Sequence, residues 1–129
     1  MAKNIVKSQF MAADLTITAN TTNTATPALS IVRCENLRQL QCSAQARGKN
    51  AGSSGVVTFN IASCVGDEKW STDVWQTLTV TVAGTVTKTS GAELLNVDGL
   101  TAIRISSIVN GDAAQDIDTV NIVFSASVQ

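Results

Sequence analysis

The densest group of residues that could do chemistry lies between positions 67 and 75. Asp67, Glu68 and Asp73 place three carboxylates beside Trp70 and Trp75. Carboxylates next to an aromatic ring are typical of glycosidases and sugar-binding sites. No second motif supports catalysis, and a solvated turn anchored to a core by two tryptophans explains the same residues. We therefore interpret the segment as a structured turn, with a sugar site at the tryptophans as the alternative.

A second acidic group, Asp112, Asp116 and Asp118, offers oxygen ligands at close spacing. Calcium is bound by oxygen ligands of this type, but the spacing does not match an EF-hand loop. Carboxylates on turns are common without any bound ion, so the sequence does not decide whether these three aspartates bind a cation. The prediction is that the chain uses no metal and no cofactor.

Three cysteines, Cys34, Cys42 and Cys64, form no Cys-x-x-Cys pair. A zinc site would therefore lack both the usual spacing and a fourth ligand. An odd number of cysteines also argues against a secreted disulfide framework. Cys34 and Cys42 flank a turn, and only the strand register decides whether they can pair. The sequence predicts buried, reduced thiols.

Composition excludes several classes of function. Histidine is absent, which removes the commonest general base and the commonest metal ligand. The net charge of −1 gives no basic excess for nucleic acid, and aromatic residues make up only 4% of the chain. No apolar run is long enough for a signal peptide or a membrane span. These features predict a protein made in the cytosol that is neither an enzyme nor a nucleic-acid or membrane binder.

Alternating apolar and polar residues predict strands along most of the chain. The clearest pair lies within residues 56–83, where Val57, Phe59 and Ile61 precede a Thr-rich strand. The predicted strands are 14–19, 28–34, 37–46, 56–63, 77–82, a short one at Val86, 94–97, 100–109 and 117–128. Roughly nine short strands separated by turns predict an all-β fold, an antiparallel β-sandwich of jelly-roll or Ig-like type, with a barrel as the alternative.

The chain divides into two predicted parts. Residues 1–12 lack a clean period and form an extended N-terminal arm with room for one short strand, and residues 13–129 form a single β-sandwich domain. The Gly- and Ser-rich segment 47–55 is predicted to be a flexible loop. Strands rich in Thr and Ser with few charges are unusual for a free monomer, so neighbouring subunits are expected to cover part of this surface.

A family resemblance rests on a succession of strands and turns between residues 56 and 125. Val57–Thr72 runs from a strand through a Gly/Asp turn to a Trp followed by Ser and Thr. Leu78–Val82 is Thr-rich, Leu95–Leu100 leads to Ile103–Ile105, and an Asn-Gly-Asp turn precedes the last strand. This pattern resembles small all-β structural proteins of tailed-phage virions.

The resemblance implies a virion component, first a capsid decoration or cement protein that binds the major capsid protein and stabilises the phage head. It also implies homo-oligomers such as trimers. A tail, baseplate or fibre module is the alternative within the same class, and a carbohydrate-binding module using Trp70 or Trp75 is the alternative outside it. The predicted partner contacts, taken from the arm and from loop 47–55, are Ile5, Val6, Phe10, Met11, Arg47 and Lys49.

Overall fold

The computed structural model describes residues 4–12, 22–23, 31–66, 69–112 and 114–128. These residues contain ten strands and no helix, so no helix capable of crossing a membrane occurs among them. The strands are β1 (Asn4–Ala12), β2 (Thr22–Asn23), β3 (Val32–Arg33), β4 (Gln39–Gly48), β5 (Val56–Cys64), β6 (Gln76–Thr81), β7 (Lys88–Thr89), β8 (Glu93–Asn96), β9 (Ala102–Asn110) and β10 (Ile117–Val128).

The strands form two five-stranded antiparallel sheets. In the first sheet the order is β1, β10, β4, with β7 and β8 both pairing with β4 on its far side. In the second sheet β2 and β3 both pair with β9, followed by β5 and then β6. The predicted all-β antiparallel sandwich is confirmed.

A shared apolar core lies between the sheets. Alternation places Leu40, Cys42 and Ala44 of β4 inside, whereas Gln39 and Gln41 of the same strand are exposed. The largest fully buried side chains come from both sheets: Phe59, Phe124, Leu40, Ile61, Ile103, Ile105, Ile108, Ile117, Ile122, Val57 and Val80. Burying each such side chain stabilises the fold by about 1.5–3 kcal/mol relative to leaving it in water. Packing of the two sheets against each other therefore stabilises both.

The predicted strands at 37–46, 56–63 and 117–128 correspond to β4, β5 and β10. The predicted strand at 14–19 lies outside the described residues. Of the one predicted at 28–34, the described part contains only β3. The segment predicted as an arm contains β1, which pairs with β10 along its whole length. The division into an arm and a domain stays a prediction.

The loop predicted at 47–55 is present but shorter, because it begins only after residue 48. Strand β4 continues to Gly48, whose N–H donates to the Gly84 carbonyl at 3.1 Å. A Cβ at Gly48 would lie 2.5 Å from that same carbonyl oxygen, so only glycine permits this approach. Ser53 is buried because its carbonyl accepts from Gly84 N–H and its N–H donates to Asn50. Loop composition alone did not reveal these backbone partners.

Candidate functional site

The outward faces of the five longest described strands, β4, β5, β6, β9 and β10, carry few charged groups. Among the described side chains of β4, β5, β6, β9 and β10, only Arg47, Arg104 and Asp118 are charged. The remaining outward positions are uncharged and exposed or half-buried: Gln39, Gln41, Ser43, Gln45, Thr58, Asn60, Thr77, Thr79, Thr81, Ser107, Val109, Val123 and Ser125. Charged residues are also scarce at the centres of protein–protein interfaces.

Trp70 covers Arg104, one of the charged residues on the outward face of the second sheet. The guanidinium carbon of Arg104 lies 4.2 Å from the centroid of the Trp70 ring, a cation–π contact. Trp70 also forms a β-bridge to Cys64, which fixes the ring over the end of β5. One face of this half-buried ring is therefore occupied within the chain.

Trp75 lies at the start of an open groove between the ends of β6 and β8, hereafter the Trp75 groove. Its backbone N–H donates to Ile61 at 2.8 Å, and its half-buried side chain packs against the core. The groove encloses about 570 Å³ and is lined by Trp75, Gln76, Leu94, Leu95, Asn96, Asp98 and Leu100. It combines one aromatic ring with two amides and a carboxylate. Of the predicted acidic group beside the tryptophans, Asp67 and Glu68 lie outside the described residues, and Asp73 is exposed.

Asp112 closes the turn between β9 and β10. One carboxylate oxygen accepts from the backbone N–H of Ser54 at 2.7 Å, and the other accepts from Ala114 and Gln115 at 2.9 and 3.1 Å. These backbone donors, Ser54 first, hold the pKa of Asp112 below its usual range, against the opposing effect of burial. The carboxylate acts as a structural hydrogen-bond acceptor that ties loop 49–55 to this turn.

The other two aspartates of the predicted cation group face different partners. Asp118 accepts from Arg47 Nε at 3.2 Å, and Asp116 lies 4.0 Å from Lys49 Nζ. Within the described part of the chain, no cluster of three or more potential metal ligands is present. The structure therefore does not bring these three carboxylates together.

All three cysteines are buried and free, as predicted. Burial raises the pKa of Cys34 to about 11. Burial, with a smaller contribution from the charge of Glu93, raises the pKa of Cys42 to about 12. The thiolate is the reactive form of cysteine, so these two thiols stay protonated and inert near neutral pH.

The predicted partner contacts fall at two separate places. Ile5, Val6, Phe10 and Met11 belong to β1, the edge strand of the first sheet, in register with Ser127, Ala126, Ile122 and Asn121. Arg47 and Lys49 lie at the end of β4 in the ion pairs described above, and Arg47 Nη2 also donates to Thr119 Oγ1 at 2.9 Å. Contact of these residues with another protein stays a prediction.

The edge of β6 was not singled out from the sequence. Strand β6 is the last strand of its sheet on that side, and its exposed positions are Gln76, Thr77, Thr79 and Thr81. The available signal was the Thr-rich alternation with no charge between Val74 and Thr87. Periodicity reports which face of a strand is buried, but not whether the strand has one neighbour or two, so the edge required the structure.

No protein-family model and no curated protein matches this sequence. Among solved structures, the chain is similar to the T13 particle protein of infectious bursal disease virus. The identity is 11%, the match covers 96% of this chain and 36% of that chain, and the TM-score is 0.50. This chain thus spans about a third of the viral one, and the likeness shows a shared fold.

Two further likenesses are lower in TM-score. The SPBc2 prophage-derived protein YomS is 12% identical over 95% of this chain and 96% of its own, with a TM-score of 0.41. A protein of Bacillus endospore appendages, which form a family of disulfide-linked pili, is 15% identical over 100% of this chain and 93% of its own, with a TM-score of 0.39.

Proposed function

We propose that this chain is a structural protein of a phage virion, and specifically a decoration or cement protein that bridges major capsid subunits and stabilises the head. The observation that supports this most is the scarcity of charge on the outward faces of β4, β5, β6, β9 and β10. A free monomer with such faces is prone to association, whereas a subunit of a permanent assembly covers them with neighbours.

Two other observations point the same way. The succession of strands and turns resembles small structural proteins of tailed phages, and the sandwich shares its fold with part of a virus-particle protein. The second argument is an analogy at the level of the fold. Both agree with a function that consists of binding rather than chemistry.

The proposed contacts are the arm and the end of β4. Strand β1 borders the first sheet and pairs only with β10 among the described strands, so its other side is the proposed contact with a capsid subunit. Arg47 and Lys49 have side-chain exposures of 43% and 53%, which leaves their outer surfaces available for a partner. In this proposal Ile5, Val6, Phe10 and Met11 supply apolar anchors at one contact, and Arg47 and Lys49 supply charges at the other.

Cryo-electron microscopy of virions from the phage that encodes this chain tests the proposal. We expect density for the sandwich on the outside of the head shell, between capsid subunits. Density in the tail or baseplate would instead support the alternative virion module. Its absence from purified virions, together with no binding to shells lacking it, would contradict both.

Shell binding by variants sharpens this test. Ser43→Lys places a charge on the outward face of the first sheet, and Thr58→Lys does the same on the second. Thr72→Lys, in the exposed segment before Trp75, is the matched control. We expect one of the two face variants to weaken shell binding by about tenfold or more, while the control binds like the unmodified chain. Equal binding by all three variants would show that neither outward face contacts the shell.

A carbohydrate-binding module is the second candidate, and the Trp75 groove is the observation that favours it. A sugar ring could stack on Trp75 while Asn96 and Asp98 hydrogen-bond its hydroxyls. Glycan-array binding that is lost with Trp75→Ala but kept with Trp70→Ala would support this candidate, because Arg104 already covers a face of the Trp70 ring. No hits on the array would eliminate it.

A further inference from the structure

Among the described residues no strand pairs with the far side of β6, hereafter its free side, and the hydrogen-bond pattern shows which backbone groups face it. Val82 N–H donates to the Gly55 carbonyl at 2.9 Å, which continues the ladder between β6 and β5. In an antiparallel ladder the residues that bond to one neighbour alternate with those that point away from it. The N–H and C=O groups of Thr77, Thr79 and Thr81 therefore point to the free side.

Along its own length β6 carries none of the residues that usually protect an edge strand. Natural edges carry charges, proline, bulges or a covering segment. Strand β6 contains no charge and no proline, and its pairing with β5 has no register shift. Threonine is β-branched, so the strand is already held in the extended conformation that a new partner strand requires.

Exposed apolar side chains gather around the same edge. Six large hydrophobic residues of the described chain are exposed, and four of them surround β6. Val56 lies opposite Thr81 on the neighbouring strand, Val74 precedes β6, Val86 follows it, and Leu94 lines the Trp75 groove. An unprotected edge bordered by apolar groups is the arrangement that binding by strand addition uses.

We propose that β6 pairs antiparallel with β6 of a second copy of this chain, across a two-fold axis near Thr79. The two second sheets then form one continuous sheet. In this register Thr79 lies opposite its own equivalent, and Thr77 lies opposite Thr81 of the other copy. Val74 of each copy comes to the end where Val86 of the other copy lies.

A second copy fits this edge because a two-fold contact places each residue near its own equivalent. Any charge on the edge would then repel itself, and no residue between Val74 and Thr87 is charged. Directly opposed threonines are instead a favourable cross-strand pair. The inference does not depend on the virion proposal, because it concerns the purified chain alone.

Analytical ultracentrifugation of the full chain and of Thr79→Lys tests the pairing. We expect the unmodified chain to form a dimer of twice the 13.5 kDa chain mass. Thr79→Lys puts two like charges opposite each other at the axis, and we expect the dimer dissociation constant to rise by about tenfold or more. Thr79→Glu has the same effect alone, whereas an equimolar mixture of the two variants regains the dimer.

Thr58→Lys is the matched control. Thr58 lies opposite Thr79 on β5 and on the same outward face, but its backbone groups are already paired within the sheet. Its equivalent in the other copy would be about 14 Å away, three strand spacings, where salt screens the repulsion. We expect this variant to dimerise like the unmodified chain, and thermal melts confirm that all variants fold.

Several results would overturn the proposal. A chain that stays monomeric at several hundred micromolar, or a dimer unaffected by Thr79→Lys, excludes this edge. A trimer that dissociates with Thr79→Lys means that the edge is used head-to-tail by another segment, which excludes the two-fold pairing. In the proposed dimer, hydrogen exchange at Thr77, Thr79 and Thr81 slows as the protein concentration rises. Fast exchange at every concentration contradicts it.

Discussion

Two sheet edges border the Trp75 groove, and they differ in how they are protected. The edge formed by β7 and β8 pairs with β4 in two short pieces, separated at residues 90–92. Lys88 and Glu93 place charges on it, and Gly91 adopts a φ of +77° in the break. Strand β6 has no charge, no break and no glycine. The charges, the break and the glycine of the first edge hinder pairing with a further strand, and β6 has none of these features.

The two edges differ in their backbone hydrogen bonds as well as in their charges. Ser90 explains how the broken edge stays attached, because its N–H donates to the Ala44 carbonyl and its hydroxyl accepts from Ala44 N–H. The break therefore keeps its backbone bonds at the centre of β4. On β6 the outward backbone groups have no comparable partner strand in the described part of the sheet. The two edges therefore differ in backbone hydrogen bonding.

The largest expected effect compares one buried leucine from each edge strand. Leu78 of β6 has an exposure of 2% and lies in the core, whereas Leu95 of β8 has 5% and also lines the open groove. We expect Leu78→Ala to lower the free energy of unfolding by about 3 kcal/mol and Leu95→Ala by about 2 kcal/mol, because a cavity beside the groove can partly collapse or fill. Urea unfolding of the two variants measures the difference.

Equal losses would show that both edge strands are packed equally well. In that case the contrast between the edges would concern only charge and backbone, not the core beneath them. A larger loss for Leu95→Ala would reverse the ranking and identify β8 as the better packed strand.

The second prediction concerns the break in the protected edge. Gly91 has a positive φ, and a Cβ there would meet no atom within 4 Å. Gly91→Ala therefore costs only the conformational strain of a left-handed backbone, about 1 kcal/mol of unfolding free energy. Gly52→Ala is the control, because Gly52 is exposed, lacks a positive φ and would place its Cβ 3.9 Å from the nearest atom. A loss below about 0.3 kcal/mol for Gly91→Ala would mean that the break relaxes without it.

Most of the fold was predictable from the sequence, whereas most of the site was not. The alternation around Val57, Phe59 and Ile61 identified β5, because apolar burial on one face is a local property of a strand. The order of strands within each sheet is non-local, so the free side of β6 and the bonds of Ser53 could not be read from spacing. Trp70 was predicted to anchor a turn, but its contact with Arg104 joins residues 34 positions apart.

The third prediction tests the hydrogen bonds of Asp112, which hold loop 49–55 against the end of β6. Asp112 fixes loop 49–55, and Gly55 of that loop bonds Val82. Its pKa in the folded protein lies below 3.8, the ordinary value for an aspartate, so its stabilising effect is complete above that value. The effect is lost as the pH falls through 3.8 towards the lower folded value. We expect Asp112→Asn to lower the melting temperature by several degrees near pH 6.

This difference from the unmodified chain should shrink as the pH falls below the ordinary aspartate range, because the carboxyl of the unfolded chain and then that of the folded chain take up a proton. Asp98→Asn is the matched control, since Asp98 is exposed on the turn after β8. A difference that stays constant between these pH values would assign the effect of the variant to shape rather than to the carboxylate charge.

The smallest effect is expected at the end of β4, the strand that supports the protected edge. Arg47 bonds Asp118 and Thr119, but its side chain is 43% exposed and that of Asp118 is 32% exposed. Pairs this open to solvent contribute about 0.5 kcal/mol or less, so Arg47→Ala should barely change urea unfolding. A loss above about 1 kcal/mol would show that the pair and its Thr119 bond act as one network. The stability of β4, and of the edge strands β7 and β8 that pair with it, would then depend on the Arg47–Asp118 pair.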